Sequence, residues 1–269
     1  MESSRCKAFL AAAECGSLTK AAERLNYTAS GVSQLISAME GDFGFLLLKR
    51  TTRGVVLTAE GEKMRPAVRA FLSQENRVHE LAANINGLDI GLINIATYSS
   101  IATHWLPKVV AAFKKKYPKI TVNLMEGVRQ EVLQWMAEGR ADIGFTSGGD
   151  DIDGDWVPLA DDRMIAILPR DHPLANAESF PLERCKHEGL IMPAMGKDED
   201  VMTMLKKYGI EPNIVYSTNE SYSAWALVEN GLGISITNEL IVNGWICDVA
   251  KVPVSPPEKI TLGMILPSV

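Results

Sequence analysis

The chain lacks the marks of a secreted, disulfide-linked or membrane-spanning protein. Its four cysteines are scattered, no Cys-x-x-Cys pair occurs, and no signal-like segment opens the sequence. These features indicate a reduced, cytoplasmic protein whose cysteines are packed apolar side chains rather than ligands or nucleophiles. No apolar run approaches the length of roughly 20 residues that a transmembrane helix needs, so we expect no membrane partner.

Signatures of catalysis and of cofactor binding are also missing. His172 and His187 have no metal-ligand spacing, and Gly231-Leu-Gly233 follows a predicted helix rather than a strand, unlike a dinucleotide-binding turn. No nucleophile, base and orienting group can be assembled from the sequence. We therefore expect no enzyme activity, no metal and no cofactor.

Positive charge is scarce, and its distribution is uneven. The net charge is −6, which is unusual for a nucleic-acid-binding protein. Residues 1–60 contain seven Lys and Arg and six Asp and Glu, which gives a net charge of +1. Residues 90–269 contain 16 Lys and Arg and 23 Asp and Glu, which gives a net charge of −7. Any DNA binding by the N-terminal part must therefore rely on a local basic patch and on multivalency.

The first 61 residues have the pattern of a winged helix-turn-helix. A first helix is interrupted at Gly16-Ser17, and Ser17 can cap a second helix over about Leu18 to Leu25. Asn26-Tyr27 forms the turn, and Thr28 can cap a third helix with short polar side chains at its start. A wing is predicted over residues 45–57, with strands at 45–48 and 55–57 around a basic turn at 49–54.

This motif predicts contact with the major groove of DNA and with the phosphates beside it. The alternative is an ordinary three-helix core with solvated polar faces, but the cationic hairpin that follows favours DNA. The predicted DNA-binding residues are Lys20, Thr28, Ser30, Gly31, Ser33, Gln34, Ser37, Arg50 and Arg53.

A long helix is predicted from Thr58 to about Asn86, with Pro66 kinking or interrupting it. Apolar residues spaced alternately four and three apart form a heptad seam, which is typical of helix pairing. The alternative is a helix packed on its own chain, but nothing nearby in sequence should cover the stripe, so we predict dimerisation. The seam positions are Met64, Val68, Phe71, Glu75, Val78, Ala82 and Ile85, and the polar Glu75 interrupts the apolar series.

Residues 88–269 alternate between strand-like and helix-like segments, which predicts a mainly parallel sheet with helices on both faces. A single helix is predicted over about Ile101 to Tyr117 and a strand over Met164 to Pro169. The domain limits we predict are 1–58, 59–87 and 88–269. In the last domain, a first lobe covers about 88–160 plus a C-terminal return, and a second lobe covers about 161–237.

A ligand site is predicted at the carboxyl ends of these strands, where helix N-termini present free N–H groups. The alternative for any one of these residues is that its side chain caps a helix or stabilises a turn and does not contact a ligand. These loops contain no Lys or Arg, so a neutral or singly charged small molecule is favoured. The predicted residues are Thr97, Tyr98, Ser99, Ser100, Ile101, Thr146, Ser147, Pro193, Ala194, Met195, Thr218, Asn219 and Thr237.

The N-terminal segment resembles LysR-type transcriptional regulators. The resemblance lies in F-x-x-x-A-x-x-G-S-x-T-x-A-A-x-x-L over Phe9 to Leu25, and L-x-K-R-T-x-R-G-V-x-L-T-x-x-G over Leu47 to Gly61. It continues more loosely over nearly the whole chain. The chain departs from the family at Thr28-Ala29-Ser30-Gly31, where Ser-Gln-Pro-Ala is common, and this leaves its target sequence open.

The resemblance implies an α/β protein with a winged helix-turn-helix, a linker helix and a two-lobed, periplasmic-binding-protein-like (type 2) effector domain. It implies a homodimer or homotetramer on double-stranded, inverted-repeat DNA. It also implies that an effector, held partly by Ser100, alters DNA bending and contact with RNA polymerase. The alternatives are a solute sensor whose DNA-binding part is vestigial and an architectural DNA-binding protein with an empty cleft.

Overall fold

The structure is a computed structural model, and its described residues form two compact units. The first unit spans Met1–Leu92 together with Lys119–Thr121 and Trp135–Ala141, and the second comprises the remainder. The predicted end of the linker helix, at Asn86-Gly87, lies outside the described residues. The stretches that the structure describes are residues 2–85, 90–196 and 198–267.

Three helices open the first unit, as the sequence predicts: α1 (Ser3–Cys15), α2 (Leu18–Leu25) and α3 (Ala29–Phe43). The Ser17 hydroxyl accepts a hydrogen bond from the Lys20 N–H and caps α2, and the Thr28 hydroxyl accepts one from the Gly31 N–H and caps α3. Such caps satisfy N–H groups that have no partner within the helix. The shared core includes Phe9, Ala21, Val32, Ile36 and Met39.

The wing is a two-stranded hairpin of β1 (Leu48–Thr51) and β2 (Gly54–Leu57). The predicted first strand at 45–48 and six-residue turn are therefore wrong, because most of the basic segment is itself strand. One cause lies in α3, where the Glu40 carboxylate accepts hydrogen bonds from the N–H groups of Leu47 (2.7 Å) and Leu48 (3.0 Å). Because Glu40 binds the backbone before residue 48, the pairing of β1 with β2 begins only at Leu48.

The linker helix α4 (Ala59–Ile85) begins at Thr58, whose hydroxyl accepts a hydrogen bond of 2.9 Å from the Gly61 N–H. The helix continues through Pro66, so the predicted interruption is wrong. A proline removes one backbone hydrogen bond, and in this helix the packing of its flanking turns offsets that loss.

The predicted heptad seam of α4 divides into two halves. In the first half, Val68 is fully buried and Met64 and Phe71 pack against the core of the same unit. Glu75 accepts a hydrogen bond from the Ser3 hydroxyl and forms an ion pair with Lys7 of α1 at 3.8 Å. The expectation that nothing in the chain covers this stripe is therefore wrong for Met64, Val68, Phe71 and Glu75. In the second half, Val78, Ala82 and Ile85 are exposed.

A buried ion-pair cluster holds part of α4 within the first unit. The Arg69 guanidinium donates hydrogen bonds to the carboxylates of Glu138 and Glu14, the latter at 2.9 Å, and Arg65 lies 3.2 Å from Glu138. Arg69 and Glu138 are both buried. Removing one member would leave an uncompensated buried charge, which typically costs about 3–5 kcal/mol.

From residue 90 onward the described chain alternates strands and helices. The first group contains β3 (Gly91–Thr97), α5 (Ser99–His104), α6 (Leu106–Lys116), β4 (Ile120–Glu126), α7 (Arg129–Ala137) and β5 (Ile143–Ser147). The second contains β6 (Asp155–Pro169), β7 (Phe180–Pro181), β8 (Leu190–Met192), α8 (Glu199–Lys207), β9 (Ile214–Ser217), α9 (Ser221–Glu229), β10 (Ser235–Asn238), α10 (Glu239–Val242), β11 (Val249–Ser255) and β12 (Lys259–Leu266).

The single helix predicted over Ile101–Tyr117 is two helices, α5 and α6, that meet at Trp105. Pro107 sits in the first turn of α6, where its missing N–H costs nothing but where it cannot continue a preceding helix. The apolar periodicity continues across this junction, which is why spacing alone predicted one helix.

Eight of the described strands form one sheet in the order β4-β3-β5-β12-β6-β11-β7, with β10 also paired to β6. The β3–β5 and β11–β7 pairs are parallel, whereas the pairs of β12 with β5 and β6, and of β10 and β11 with β6, are antiparallel. The expectation of a mainly parallel sheet is therefore wrong, and the sheet is mixed. The sequence pattern missed β11 and the first nine residues of β6, which begins at Asp155.

None of the described helices combines the length and apolar content that crossing a bilayer requires.

Replacing Gly54 by alanine is expected to loosen the wing. Gly54 has φ +136°, and a Cβ there would overlap the carbonyl oxygen of Gly16, which accepts a hydrogen bond from the Val55 N–H. We expect Gly54→Ala to lower the stability of the first unit by about 2 kcal/mol or more, measured by thermal unfolding.

The control is Gly41→Ala in α3, where an added Cβ meets nothing within 4 Å. That change should leave stability unaltered or raise it by up to about 1 kcal/mol. Equal unfolding temperatures for the two variants would contradict the close approach of the wing to Gly16.

Candidate functional site

The exposed start of α3 and the wing form one polar surface. Ser30, Gln34 and Ser37 are exposed, and Gly31 and Ser33 are half-buried. The Thr28 hydroxyl lies 3.0 Å from the Gly31 nitrogen and 3.1 Å from the Ser30 hydroxyl, so it is committed to holding the helix start. The side chains of Ser30, Gln34 and Ser37 are exposed, so a partner can reach them.

The structure brings the wing beside α3. The Arg50 guanidinium donates to the Ser33 hydroxyl at 3.3 Å, and Arg53 is exposed at the hairpin turn. Lys20, in α2, is also exposed. Short polar groups next to guanidinium and ammonium groups are suited to base edges and phosphates respectively. We call Lys20, the start of α3, Arg50 and Arg53 the polar surface of the first unit.

The second unit contains a cavity of about 610 Å³ between its lobes. This volume lies within the usual range for small-molecule sites. Six of the thirteen predicted ligand residues line it: Tyr98, Ser99, Ser100, Ala194, Met195 and Asn219.

The other seven predicted residues do not line the cavity. Ile101 is buried in a hydrophobic core, Thr97 and Thr146 are fully buried, and Thr237 and Pro193 are also buried. Thr218 is used locally, because its hydroxyl donates to the Glu220 carbonyl at 2.8 Å. This local contact is of the kind that the capping and turn alternative describes. Ser147 lies behind the cavity wall and supports it.

A hydrogen-bonded trio, two of whose members line the cavity, supports one of its walls. The Tyr98 hydroxyl and the Ser147 hydroxyl, 3.0 Å apart, donate to the two carboxylate oxygens of Asp200 at 3.0 and 2.6 Å respectively. Burial raises the pKa of Tyr98, and the Asp200 carboxylate raises it further, so the phenol stays protonated. The trio therefore joins β5, α8 and the loop after β3 through side chains that keep fixed donor and acceptor roles.

Arg129 also lines the cavity, although no basic residue was predicted there. Its guanidinium donates to both carboxylate oxygens of Asp151, at 2.6 and 2.5 Å, and lies 3.6 Å from Glu199. The hydrogen bonds from Arg129 lower the pKa of Asp151. This two-point pairing fixes the orientation of Arg129 and compensates its charge.

The backbone at Ala194 and Met195 is strained. Both residues have left-handed φ values, 54° and 52°, and both line the cavity. The Met195 N–H donates to the Thr218 carbonyl at 2.7 Å, which holds this conformation. Strain of this kind costs roughly 1–3 kcal/mol per residue and persists only where surrounding contacts impose it.

Sequence reasoning missed the acidic part of the cavity wall. It considered the ends of β3, β5, β8, β9 and β10 but not the end of β4 or the start of α8. The end of β4 supplies Glu126, the first turn of α7 that follows it supplies Glu131, and the start of α8 supplies Asp198–Asp200. The available signal was the acidic run Asp198-Glu199-Asp200, since acidic residues concentrate at the starts of helices.

Burial and the nearby Asp200 carboxylate raise the pKa of Asp198 to about 6. Burial also raises the pKa of Asp200. Both carboxyl groups are thus costly to ionise in the free protein. Among the described residues, no group of three or more His, Cys, Asp or Glu side chains could hold a metal ion.

Comparison with known proteins gives a consistent assignment. The model of bacterial regulatory helix-turn-helix proteins of the LysR family matches residues 4–62, and the model of the LysR substrate binding domain matches residues 86–268. The chain is 33% identical over 248 residues to the uncharacterized HTH-type transcriptional regulator YvbU of Bacillus subtilis (strain 168), covering 91% of this chain and 84% of the relative. It is 31% identical over 240 residues to AlsR of the same organism, covering 87% and 80%.

A LysR family transcriptional regulator, CbnR, has the same fold, with a TM-score of 0.70, 24% identity and coverage of 99% and 93%. A full-length OxyR variant from Pseudomonas aeruginosa has a TM-score of 0.72 at 18% identity, with coverage of 100% and 89%.

This chain therefore belongs to the LysR family of transcriptional regulators. It is a DNA-binding regulator with an effector-binding domain rather than an enzyme, as the sequence predicts.

Replacing Asp198 by asparagine is expected to stabilise the effector domain at high pH. A carboxyl whose pKa is raised on folding contributes stability at low pH, and that stability is lost as pH rises from about 4 through about 6. Asparagine keeps the cap of α8 but carries no charge. From pH 5 to pH 8 the variant should gain about 1 kcal/mol relative to wild type, a Tm difference of roughly 2–4 °C.

The matched control is Asp171→Asn, at an exposed aspartate outside the cavity. Its Tm is measured over the same pH range as a reference for the loss of an aspartate outside the cavity. A pH-independent difference for Asp198→Asn would show that Asp198 does not ionise in this range.

Proposed function

We propose that this regulator binds double-stranded, inverted-repeat DNA through the polar surface of its first unit. The observation that carries the proposal is the Arg50–Ser33 hydrogen bond, which sets two exposed arginines beside the exposed polar side chains of α3. In this arrangement α3 enters the major groove. Ser30, Gln34 and Ser37 meet base edges, while Lys20, Arg50 and Arg53 meet phosphates. The corresponding domain limits are 1–58, 59–87 and 88–269.

Two or four copies act together. The exposed end of α4 supports pairing, since Val78, Leu81 and Ile85 present 66%, 60% and 78% of their surface to solvent. Apolar side chains at this spacing on one helix are stabilised by a second helix of the same kind. Pairing also supplies the multivalency that a DNA-binding part with a charge of only +1 requires.

The cavity of the second unit holds the effector, a neutral or singly charged small molecule. Tyr98, Ser100 and Asn219 supply polar groups for it, and Ala194 and Met195 supply apolar surface and strained backbone. The effector must prefer one lobe arrangement, because a ligand with equal affinity for two arrangements shifts neither. That preference changes how the regulator bends its DNA and contacts RNA polymerase.

Substitution of Arg53 tests the phosphate contact. Binding of the protein to a DNA fragment selected from genomic DNA is measured at several salt concentrations. Arg53→Ala should weaken binding roughly five- to ten-fold at about 0.15 M salt and reduce the slope of log K against log salt by about 1 per protomer. Arg170→Ala, at an exposed arginine of the second unit, is the control and should change neither quantity.

Gln34→Ala separates base reading from phosphate binding. It should weaken binding to the selected fragment more than to random DNA while leaving the salt slope unchanged. Undiminished affinity in both Arg53→Ala and Arg50→Ala would remove the wing from the DNA interface.

The exposed end of α4 is tested by Leu81→Glu combined with Val78→Glu. Placing two carboxylates on this face should shift the protein toward monomer in sedimentation velocity, because like charges would oppose each other across the pair. Ile246→Glu, at a 98% exposed isoleucine in the second unit, is the control and should leave the sedimentation coefficient unchanged. An unaltered assembly in the double variant would place the subunit interface elsewhere.

A further inference from the structure

We infer that the effector is an organic cation, a small molecule that carries a protonated amine. The inference rests on the proposed function, because it concerns the ligand of the same cavity. It starts from the charge of the cavity wall, which among the described residues is strongly acidic. The charged lining residues are one arginine and six carboxylates: Arg129, Glu126, Glu131, Asp198, Glu199, Asp200 and Glu220.

The single described cation of the wall is already paired. Arg129 engages both oxygens of Asp151, and Glu199 lies 3.6 Å from the same guanidinium. An anionic effector would have to displace Asp151 from this two-point contact and then share the cavity with six carboxylates. The charge arrangement therefore disfavours an anion, although carboxylate-binding sites commonly use an arginine.

Two of the six carboxylates, those of Asp198 and Asp200, form no ion pair in the part of the chain that the structure describes. Asp198 accepts a hydrogen bond from the Val201 N–H at 3.1 Å, and Asp200 accepts hydrogen bonds from the hydroxyl groups of Tyr98 and Ser147. The described guanidinium of the cavity wall, that of Arg129, is paired with Asp151 and Glu199 instead. A carboxylate has lone pairs to spare after two such bonds, so both can accept from an ammonium group.

Helix capping alone does not account for this charge. The start of α8 carries a dipole equivalent to about +0.5 elementary charge, which one carboxylate would more than balance. Three carboxylates occupy that turn: Asp198, Glu199 and Asp200. The excess negative charge lies in the cavity wall rather than on an open surface, and a cationic ligand would offset it.

The cation is organic rather than metallic. No group of three or more His, Cys, Asp or Glu side chains in the described chain is arranged to hold a metal ion. The cavity of about 610 Å³ is also much larger than an ion needs. Its hydroxyl and amide groups at Tyr98, Ser99, Ser100 and Asn219 suit a polar body attached to the amine.

A matched set of probes separates charge from shape. The full-length protein is heated at pH 7.5 and about 0.15 M salt with 5-amino-1-pentanol, 1,5-pentanediol or 5-hydroxypentanoate, which differ in one end group. Affinities are obtained from the concentration dependence of the Tm, which ligand binding raises. We expect the aminoalcohol to raise the Tm and the diol and the acid to leave it unchanged.

Variants locate the binding. Asp198→Asn, which retains the helix cap, should lower the aminoalcohol affinity about ten-fold or more, and Glu126→Gln, at an exposed lining residue, should lower it less. Asp171→Asn, outside the cavity, should bind as wild type does. Using two cavity variants guards against a loss that reflects misfolding of one of them.

The other outcomes overturn the inference in distinguishable ways. Stabilisation by 5-hydroxypentanoate that is lost in Arg129→Gln would make the effector an anion and leave the cavity as its site. Stabilisation by the aminoalcohol that is equal in wild type, Asp198→Asn and Glu126→Gln would place the binding outside the cavity and overturn the proposed effector site as well. No stabilisation by the aminoalcohol would overturn the amine assignment alone, since the DNA-binding measurements do not depend on it.

Discussion

One long strand, β6, determines the geometry of the effector domain. Its first part, Asp155 to Arg163, pairs with β12, and its last part, Met164 to Pro169, pairs with β10 and β11. The same continuous backbone is thus an edge strand beside β12 in its first part and the middle strand between β10 and β11 in its last part. The strand changes pairing partners near residues 161–164, where it passes from one lobe to the other. Because its backbone hydrogen bonds are used before and after this point, the angle between the lobes can change mainly by bending of the strands there.

A buried carboxyl group in this segment of β6, that of Asp162, forms hydrogen bonds with residues next to the cavity. Asp162 accepts hydrogen bonds from the Asn238 side chain at 2.5 Å and from the Leu240 N–H at 3.0 Å, which fixes the start of α10. Asn238 and Ile241 line the cavity. Burial raises the pKa of Asp162, and these two donors oppose that effect by stabilising the charged form. A ligand that moves Asn238 or Ile241 therefore acts directly on the strand about which the lobes bend.

The winged helix could be predicted from the sequence because its determinants are local. Ser17 and Thr28 cap helices three residues away, and the apolar faces repeat within single helices. The cavity could be predicted only in part, because its walls join distant residues: Tyr98 and Asp200 are 102 positions apart. Spacing also could not decide what covers the seam of α4. Val68 and Ile85 share one heptad pattern, yet only Val68 is buried by its own chain.

The uneven charge of the chain is consistent with the two kinds of recognition that we propose. DNA is a dense anion, so in the proposed function a few exposed cations at Arg50, Arg53 and Lys20 suffice when several copies bind together. Residues 90–269 carry a net charge of −7, and part of that excess converges on a cavity with low-dielectric walls. Such a cavity concentrates ligands of the opposite sign and rejects those of the same sign. Under the inference of a cationic effector, the acidity that is unfavourable for DNA binding makes the effector domain selective, since it excludes the small anions that an arginine-lined cavity would admit.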